Sequence, residues 1–338
     1  MSLVQFVQDA WHKQAKWLLL LRPLSLLYQA GFALNRSFYQ LGIKHSYQAP
    51  IPVMVIGNIT VGGSGKTPLL IALVNYLQQA HLKVGVISRG YGGKGPFPVE
   101  VNGQSSVEEV GDEPALIVQS TGVPMAVGPN RQAAIELLLS KYTVDLIISD
   151  DGLQHWALAR QLEWIVLDQN RGLGNEKLLP EGYLRESKSR LDTATVIEHS
   201  ATPQSDLHMH LQRAAPYLLN AKIPQEFNPD QGFYAVVGIG FPQRFYQTLE
   251  SMGLKHFQCH EFPDHHDYSL DDLRFDDHQP IITTEKDAVK LLALLKNQPD
   301  FQQDIWVVPV DAILSPACYT LLDSQLQQLG LQLLKGTT

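Results

Sequence analysis

Gly65-Lys66-Thr67 closes a glycine-rich stretch, Thr60-Val61-Gly62-Gly63-Ser64, which follows the apolar run Val53-Met54-Val55-Ile56 and precedes a helical pattern. Residues of these types at this spacing make a phosphate-binding loop. Backbone N–H groups cradle phosphates, the lysine ammonium reaches the terminal ones, and the threonine hydroxyl binds Mg²⁺. The helix N-terminus adds its positive dipole end. One position departs from G-x-x-x-x-G-K-[ST], because the first glycine is replaced by Thr60. Asp150-Asp151 ends a second apolar run, Leu146-Ile147-Ile148-Ser149, where a metal-holding carboxylate belongs. Mg²⁺ takes one or two carboxylates and keeps several waters, so paired acids suit it. A helix cap is the competing reading of the same residues.

Four further clusters carry candidate chemistry. Gly111-Asp112-Glu113-Pro114 sets two acids at a loop-to-helix start, a pattern that also serves as an ordinary N-cap. Phe262-Pro263-Asp264-His265-His266-Asp267-Tyr268 lies close to Cys259 and His260. Zinc would find its ligand types there, but adjacent histidines point apart and the spacing fits no standard module. A histidine acting as general base, or orienting one, suits an imidazole that titrates near neutrality; a plain surface loop is the other reading. Thr283-Thr284-Glu285-Lys286-Asp287 opens a helix after a strand, and its Lys286 is placed to meet a phosphate. Leu184-Arg185-Glu186 lies in a polar loop where the arginine can hold an anion through two hydrogen bonds. Gly238-Ile239-Gly240 reads as a tight turn rather than a second phosphate loop.

The elements that must position these residues alternate between strand and helix. Helical spacing predicts helices over 67–80, 113–120 and 131–141, and β-rich runs predict strands over 53–56, 84–87, 145–149 and 164–167. The pattern means an α/β fold, a P-loop-containing parallel sheet flanked by helices, with ligands gathering at the carboxyl ends of the strands. Pro203, Pro216, Pro224, Pro229 and Gly232 mark a composition shift, after which a smaller α/β pattern restarts: strands at 233–237, 281–283 and 305–309, helices at 243–252 and 288–296. This divides the chain into a nucleotide-binding domain over residues 1–215 and a smaller domain over 216–338. The last helix, about 316–334, can belong to either.

At 338 residues two domains are the natural expectation. Cys259 and Cys318 are the only cysteines, which gives no disulfide framework and suits a reducing compartment. The net charge of −8 argues against a general nucleic-acid binder. Residues 1–50 differ from the rest, carrying Lys13, Lys16, Arg22, Arg36 and Lys44 against Asp9. That segment is also apolar, from Trp17-Leu18-Leu19-Leu20-Leu21 through Leu24, Leu26, Leu27, Tyr28, Phe32 and Leu34. Arg22 and Pro23 interrupt the run before it reaches the roughly 20 residues that span a bilayer. A basic, aromatic-bearing apolar helix can lie in the membrane interface, or pack its leucine face on the core.

In order along residues 57–287, the phosphate loop Gly57–Pro68, Ser88-Arg89-Gly90-Tyr91-Gly92, Gly111-Asp112-Glu113-Pro114, Asp150-Asp151-Gly152-Leu153-Gln154-His155, Leu184-Arg185-Glu186, Phe262-Pro263-Asp264-His265 and Thr283-Thr284-Glu285-Lys286-Asp287 resemble the tetraacyldisaccharide 4′-kinase family of lipid A biosynthesis. In that family a threonine stands at the first loop position, as Thr60 does here. The resemblance implies transfer of the ATP γ-phosphate to the 4′-hydroxyl of a tetraacylated glucosamine disaccharide 1-phosphate. It implies work at the cytoplasmic face of the bacterial inner membrane, as a peripheral or monotopic protein with no obligate protein partner and no nucleic acid. It also implies two α/β/α domains joined by a two-stranded linker, and a catalytic Asp112 paired with His265. On this resemblance residues 60–67 hold ATP and Lys66 reaches its β/γ-phosphates. Thr67 with Asp150 or Asp151 holds Mg²⁺, Glu113 stands near the metal, and Arg89, Gln154, His155, Arg185 and Glu186 line the acceptor or phosphate site. Two rivals are a P-loop kinase or synthetase of a soluble metabolite, which has no use for the apolar N-terminal segment, and a GTPase-type switch. The second calls for an Asn-Lys-x-Asp loop that Thr284-Glu285-Lys286-Asp287 matches only superficially.

Overall fold

A computed structural model describes residues 6, 7, 10, 11, 13–219, 226–275, 277–296, 298 and 300–333. In chain order the strands are β1 (Val53–Gly57), β2 (Val84–Ser88), β3 (Val99–Val101), β4 (Met125–Val127), β5 (Leu146–Asp150), β6 (Leu162–Asp168), β7 (Thr195–His199), β8 (His208–Arg213), β9 (Tyr217–Leu218), β10 (Phe233–Val237), β11 (Phe257–Glu261), β12 (Ile281–Thr284), β13 (Ile305–Val308) and β14 (Val310–Leu314). The helices are α1 (Arg22–Gln40), α2 (Lys66–Gln79), α3 (Val107–Val110), α4 (Asp112–Thr121), α5 (Arg131–Lys141), α6 (Pro242–Ser251), α7 (Glu285–Leu295) and α8 (Pro316–Gln328). Residues 16–21 form a 3₁₀ turn ahead of α1.

The larger sheet runs β14-β8-β7-β6-β1-β5-β2-β4-β3, parallel except for its two edge strands, β14 and β3. Alternating residues of β1 serve opposite cores, because successive strand side chains point to opposite faces. Met54 and Ile56 pack with α2, α8 and the buried Ile117 of α4, whereas Val53 and Val55 pack with Ala134, Ile135 and Leu138 of α5. Burial on both faces is why this run is continuously apolar rather than alternating. The smaller sheet, β11-β10-β12-β13-β9, is covered by α6 on one face and α7 on the other.

Two adjacent crossings join the sheets. The chain leaves β8 at Arg213 for β9 and returns from β13 directly into β14, with the Ala214 N–H donating to the Pro309 carbonyl at 3.0 Å. Residues 310–314 carry no strand reading in the sequence, yet β14 pairs along β8, and α8 buries Cys318, Leu322 and Leu326 in the core of the larger sheet. That helix stops at Gln328, short of 334, because Gly330 adopts φ +79°, a left-handed turn that suits glycine just past a helix end.

The N-terminal helix is not a core element. Only Ser25 of α1 is buried, while Leu24, Leu26, Leu27 and Leu34 are exposed, as are Leu19 and Leu20 just before it. Pro23 does not break the run, since it falls in the first turn, where its missing N–H costs nothing. By length and composition alone, the helical run Lys16–Gln40 reaches what a membrane crossing requires. One side is tied down by polar contacts. Arg22 pairs with Glu181 at 2.9 Å, the Ser25 hydroxyl donates to the Leu178 carbonyl at 2.8 Å, and the Tyr28 hydroxyl donates to the Arg185 carbonyl at 2.9 Å.

Candidate active site

Strand register brings the phosphate loop beside the acids. Ile56 of β1 stands opposite Asp150 of β5, so Gly57 and Asn58 lead into the loop where Asp151 leaves the sheet. Gly57 is required at that crossing: a Cβ there would stand 2.7 Å from Leu153 Cβ. The loop itself is held in a fixed shape from several sides. Gly62 and Gly65 both take φ +95°, a region that L side chains rarely adopt. The buried Asn58 amide donates to Ser64 Oγ at 3.1 Å, and its Oδ1 accepts from Lys66 Nζ at 3.2 Å. Arg171 donates to the Val61 and Gly63 carbonyls at 2.8 and 3.2 Å, which holds those carbonyls on the outer side of the turn. His199 Nδ1 lies 2.9 Å from the Ser64 carbonyl, so it donates there. Thr60 is buried and bridges to Leu184, and the Val61 N–H donates to the Tyr183 carbonyl. Thr67 follows Lys66 in the first turn of α2.

The two adjacent aspartates differ sharply. Asp151 receives Arg185 at 2.9 and 3.0 Å and lies 3.5 Å from Lys66 Nζ. Burial alone would raise its pKa, but Lys66 and Arg185 together bring it below the usual carboxylate value. Asp150 is buried, and its Oδ2 accepts from the Ser88 hydroxyl at 3.2 Å while Oδ1 has no hydrogen-bond partner. Burial, followed by the charges of Glu113 and Asp151, pushes it up to about 7. Behind it, buried Arg131 is lowered to about 10 by desolvation, against the pull of Asp150 and Asp151. Among the described residues no three His, Cys, Asp or Glu form a ready-made metal cage. A site of one free buried carboxylate beside a phosphate loop is what Mg²⁺ needs, since phosphate and water supply its other ligands.

Asp112 and His265 meet across the two sheets. His265 Nδ1 stands 2.9 and 3.0 Å from the Asp112 carboxylate oxygens. Asp112 opens α4 after Gly111, whose φ is +95° and where a Cβ would collide with the Tyr91 carbonyl. His265, in the turn after β11, also takes a positive φ, +61°, and the Tyr91 ring packs edge-on at 5.0 Å. Burial pulls the His265 pKa down and the Asp112 hydrogen bond pulls it up; with the Lys286, Asp112 and Asp264 charges included, the net direction is up. Burial would raise Asp112, but the bond to His265 and the charge of Lys286 bring it below the ordinary value. Lys286 of α7 reaches Glu113 at 3.2 Å and Asp264 at 3.1 Å. The Gly238-Ile239-Gly240 turn also closes on the site. Gly238 N–H donates to Asp287 at 3.0 Å, and a Cβ on Gly240 would stand 3.7 Å from the Gly63 nitrogen.

The remaining candidates divide. Gln154 and Glu186 hydrogen-bond to each other at 2.7 Å, and Gln154 also donates to the Asn58 carbonyl at 3.2 Å, so they stand directly beside the loop. Arg185 joins them through Asp151. His155 is lowered to about 4 by burial and by Arg131, Arg160 and Arg89, so its ring is neutral at neutral pH. Arg89 is exposed at the end of β2.

With this geometry in hand, the family model for tetraacyldisaccharide-1-P 4′-kinase matches residues 17–327. The chain belongs to that family. Relatives named tetraacyldisaccharide 4′-kinase include those of Psychrobacter cryohalolentis (48% identical, over 98% of this chain and 99% of the relative) and Pseudomonas fluorescens (44%, over 97% and 98%). The crystal structure of LpxK from Aquifex aeolicus in complex with ATP superposes with a TM-score of 0.74 at 26% identity, covering 91% of this chain and 98% of that one.

Around the phosphate loop and its acids the structure adds Asn58, Arg131, Arg171 and His199, to which sequence reasoning gave no role. Arg131 and Arg171 are single polar residues with no motif spacing, Asn58 lies within the loop motif without a role of its own there, and His199 ends a strand not foreseen at 195–199. The one available signal was Asn58, a polar residue at the mouth of an apolar strand.

Proposed function

We propose that the chain transfers the γ-phosphate of ATP to the 4′-hydroxyl of a tetraacyldisaccharide 1-phosphate on the cytoplasmic side of the inner membrane, with Asp112 as the base oriented by His265. ATP-dependent 4′-phosphorylation in lipid A biosynthesis is the activity of its family. The observation that carries the assignment of roles is the Asp112–His265 bond, made between residues 153 positions apart, one at the start of a helix packed on the larger sheet and one in a turn of the smaller, where the Gly240 turn approaches the phosphate loop.

Phosphoryl transfer passes through a loose transition state, so catalysis is mostly positioning and charge neutralisation. Loop residues 60–67 hold the phosphates, and Lys66 neutralises the terminal ones. Asp112 accepts the proton of the sugar hydroxyl at one carboxylate oxygen. A base with a lowered pKa suffices, because that proton leaves late in a loose transfer. His265 holds the carboxylate through Nδ1 and so fixes which lone pair faces the acceptor. Asp150, with its unpaired Oδ1, and the Thr67 hydroxyl would hold Mg²⁺, with Glu113 next to it; Asp151 is already engaged by Arg185 and Lys66. When bound, the ion would draw charge from the phosphates. Gln154, Arg185 and Glu186 lie between the loop and α1, which supports their lining the acceptor side. The exposed leucines of α1, tied by Arg22, Ser25 and Tyr28 to the loop 178–186, favour a lipid acceptor over a soluble metabolite.

The test is direct. Purified protein, labelled ATP and tetraacyldisaccharide 1-phosphate in detergent should give a 4′-phosphorylated lipid, and Lys66→Ala should abolish it while the fold persists. Label appearing only in inorganic phosphate, or lipid turnover undiminished in Lys66→Ala, would overturn the reading.

A further inference from the structure

Lys286 lies at a junction that the reaction as described does not use. It is the second residue of α7 in the smaller domain, and its ammonium has three donors and three acceptors around it. These are Glu113 Oε1 at 3.2 Å, Asp264 Oδ1 at 3.1 Å and His265 Nε2 at 3.4 Å, with Asp112 Oδ2 at 3.9 Å. Its side chain is largely buried, and three carboxylates gather within reach of this one cation. Burial works against the charged form, but the charges of Glu113, Asp264 and Asp112 more than offset it, so the ammonium stays protonated.

An ammonium can only donate. In the neutral ring the His265 Nε2 facing it must therefore accept, which places the ring proton on Nδ1, where it is donated to Asp112. The opposite tautomer would set an N–H against the ammonium and leave two acceptors, Nδ1 and a carboxylate, facing each other at 2.9 Å. Without the lysine, Asp264 and the turn that carries His265 would also face Asp112 and Glu113 as uncompensated like charges across the joint between the sheets.

We propose that Lys286 is a positioning residue for the transfer: it selects the Nδ1–H tautomer of His265 and ties the smaller domain to Asp112 and Glu113. This inference rests on the assignment of Asp112 and His265 above. The lysine acts through His265 and not on ATP or the lipid. Its removal is therefore felt in turnover rather than in nucleotide binding. A misplaced reacting geometry of about 1 Å costs on the order of 10²-fold in rate.

The experiment uses the full chain with ATP, Mg²⁺ and tetraacyldisaccharide 1-phosphate. Lys286→Met keeps the stem and removes the charge. It should lower kcat about 10²-fold with the KM for ATP within about threefold, and it should add nothing further in a His265→Ala background. A Lys286→Met enzyme within about threefold of wild-type kcat, or a loss fully additive with His265→Ala, overturns the proposal. Nitrogen-15 NMR of His265, at a pH where the ring is neutral, compares wild type with Lys286→Met: Nδ1–H that gives way to Nε2–H in the variant supports the proposal, an unchanged Nδ1–H in the variant overturns it, and Nε2–H in wild type overturns it even where the variant does not fold. Failure of the wild-type chain to phosphorylate the lipid would instead count against the assigned function, and the tautomer measurement does not depend on it.

Discussion

Replacing Leu20, Leu24 and Leu27 together with glutamine should weaken binding to lipid vesicles about 10³-fold and leave the fold as stable as before. The three side chains are 80%, 54% and 69% exposed, so about two leucine equivalents of apolar surface stand free along one stripe of the N-terminal helical run. Full burial of a leucine is worth about 1.5–3 kcal/mol, and an interfacial helix sinks its apolar face roughly 5–10 Å into the headgroup boundary. Two equivalents at about 2 kcal/mol each amount to about 4 kcal/mol, and each 1.4 kcal/mol or so is a factor of ten in a binding constant. Sedimentation of the full chain with vesicles containing anionic lipid reads the partitioning, and a thermal melt of the same samples reads the fold. Glutamine is a good helix former, so α1 itself should persist. Unchanged partitioning would refute the reasoning. So would a melting temperature lowered by several degrees, since that would mean these leucines support the core rather than face a membrane.

Three further outcomes are expected. Asp112→Ala and His265→Ala should each reduce kcat by roughly 10²–10⁴, with the double variant little worse than either, because the two act as one unit; steady-state kinetics with the lipid acceptor checks this, and full additivity contradicts it. Asp150→Asn should abolish the Mg²⁺ dependence of ATP binding measured by calorimetry, whereas Asp151→Asn should retain it and instead loosen Arg185 and Lys66; the reverse pattern would exchange the two assignments. The His265–Asp112 pair should also make stability depend on pH. His265 is raised above its ordinary 6.5, so its contribution is present at lower pH and is lost as pH rises through the raised value. Asp112 is lowered below its ordinary 3.8, so its contribution is lost only as pH falls through that lowered value. The melting temperature of wild type should therefore exceed that of His265→Gln most between about pH 4 and 6.5, and the gap should narrow by pH 9; a gap that widens with alkalinity contradicts the pairing.

What was legible in the sequence was local. Gly62, Gly65, Lys66 and Thr67 announce a phosphate loop because only a glycine-rich turn between a strand and a helix can present N–H groups to an anion, and β1 and α2 formed where that reading requires. The cores on both sheets were equally legible, since Val53–Ile56 and Phe233–Val237 are unbroken apolar runs and Leu69–Leu77 carries a helical period. The short strands β3, β4 and β9 were not, being two or three residues long and held by partners far away in the chain.

Sequence alone therefore determined that the chain carries a phosphate-binding loop, that the sheet around it is mostly parallel, and, through seven ordered motifs, which family the chain joins. Tertiary structure alone decided how those motifs are used. It separates Asp150 from Asp151 by giving one Arg185 and Lys66 and leaving the other an unpaired oxygen. It sets Lys286 between three acids and an imidazole that lie 21 to 174 positions away in the chain. The physical reason is that charge and hydrogen-bond geometry act through distance in space, and spacing along the chain records that distance only within a single helix, strand or turn.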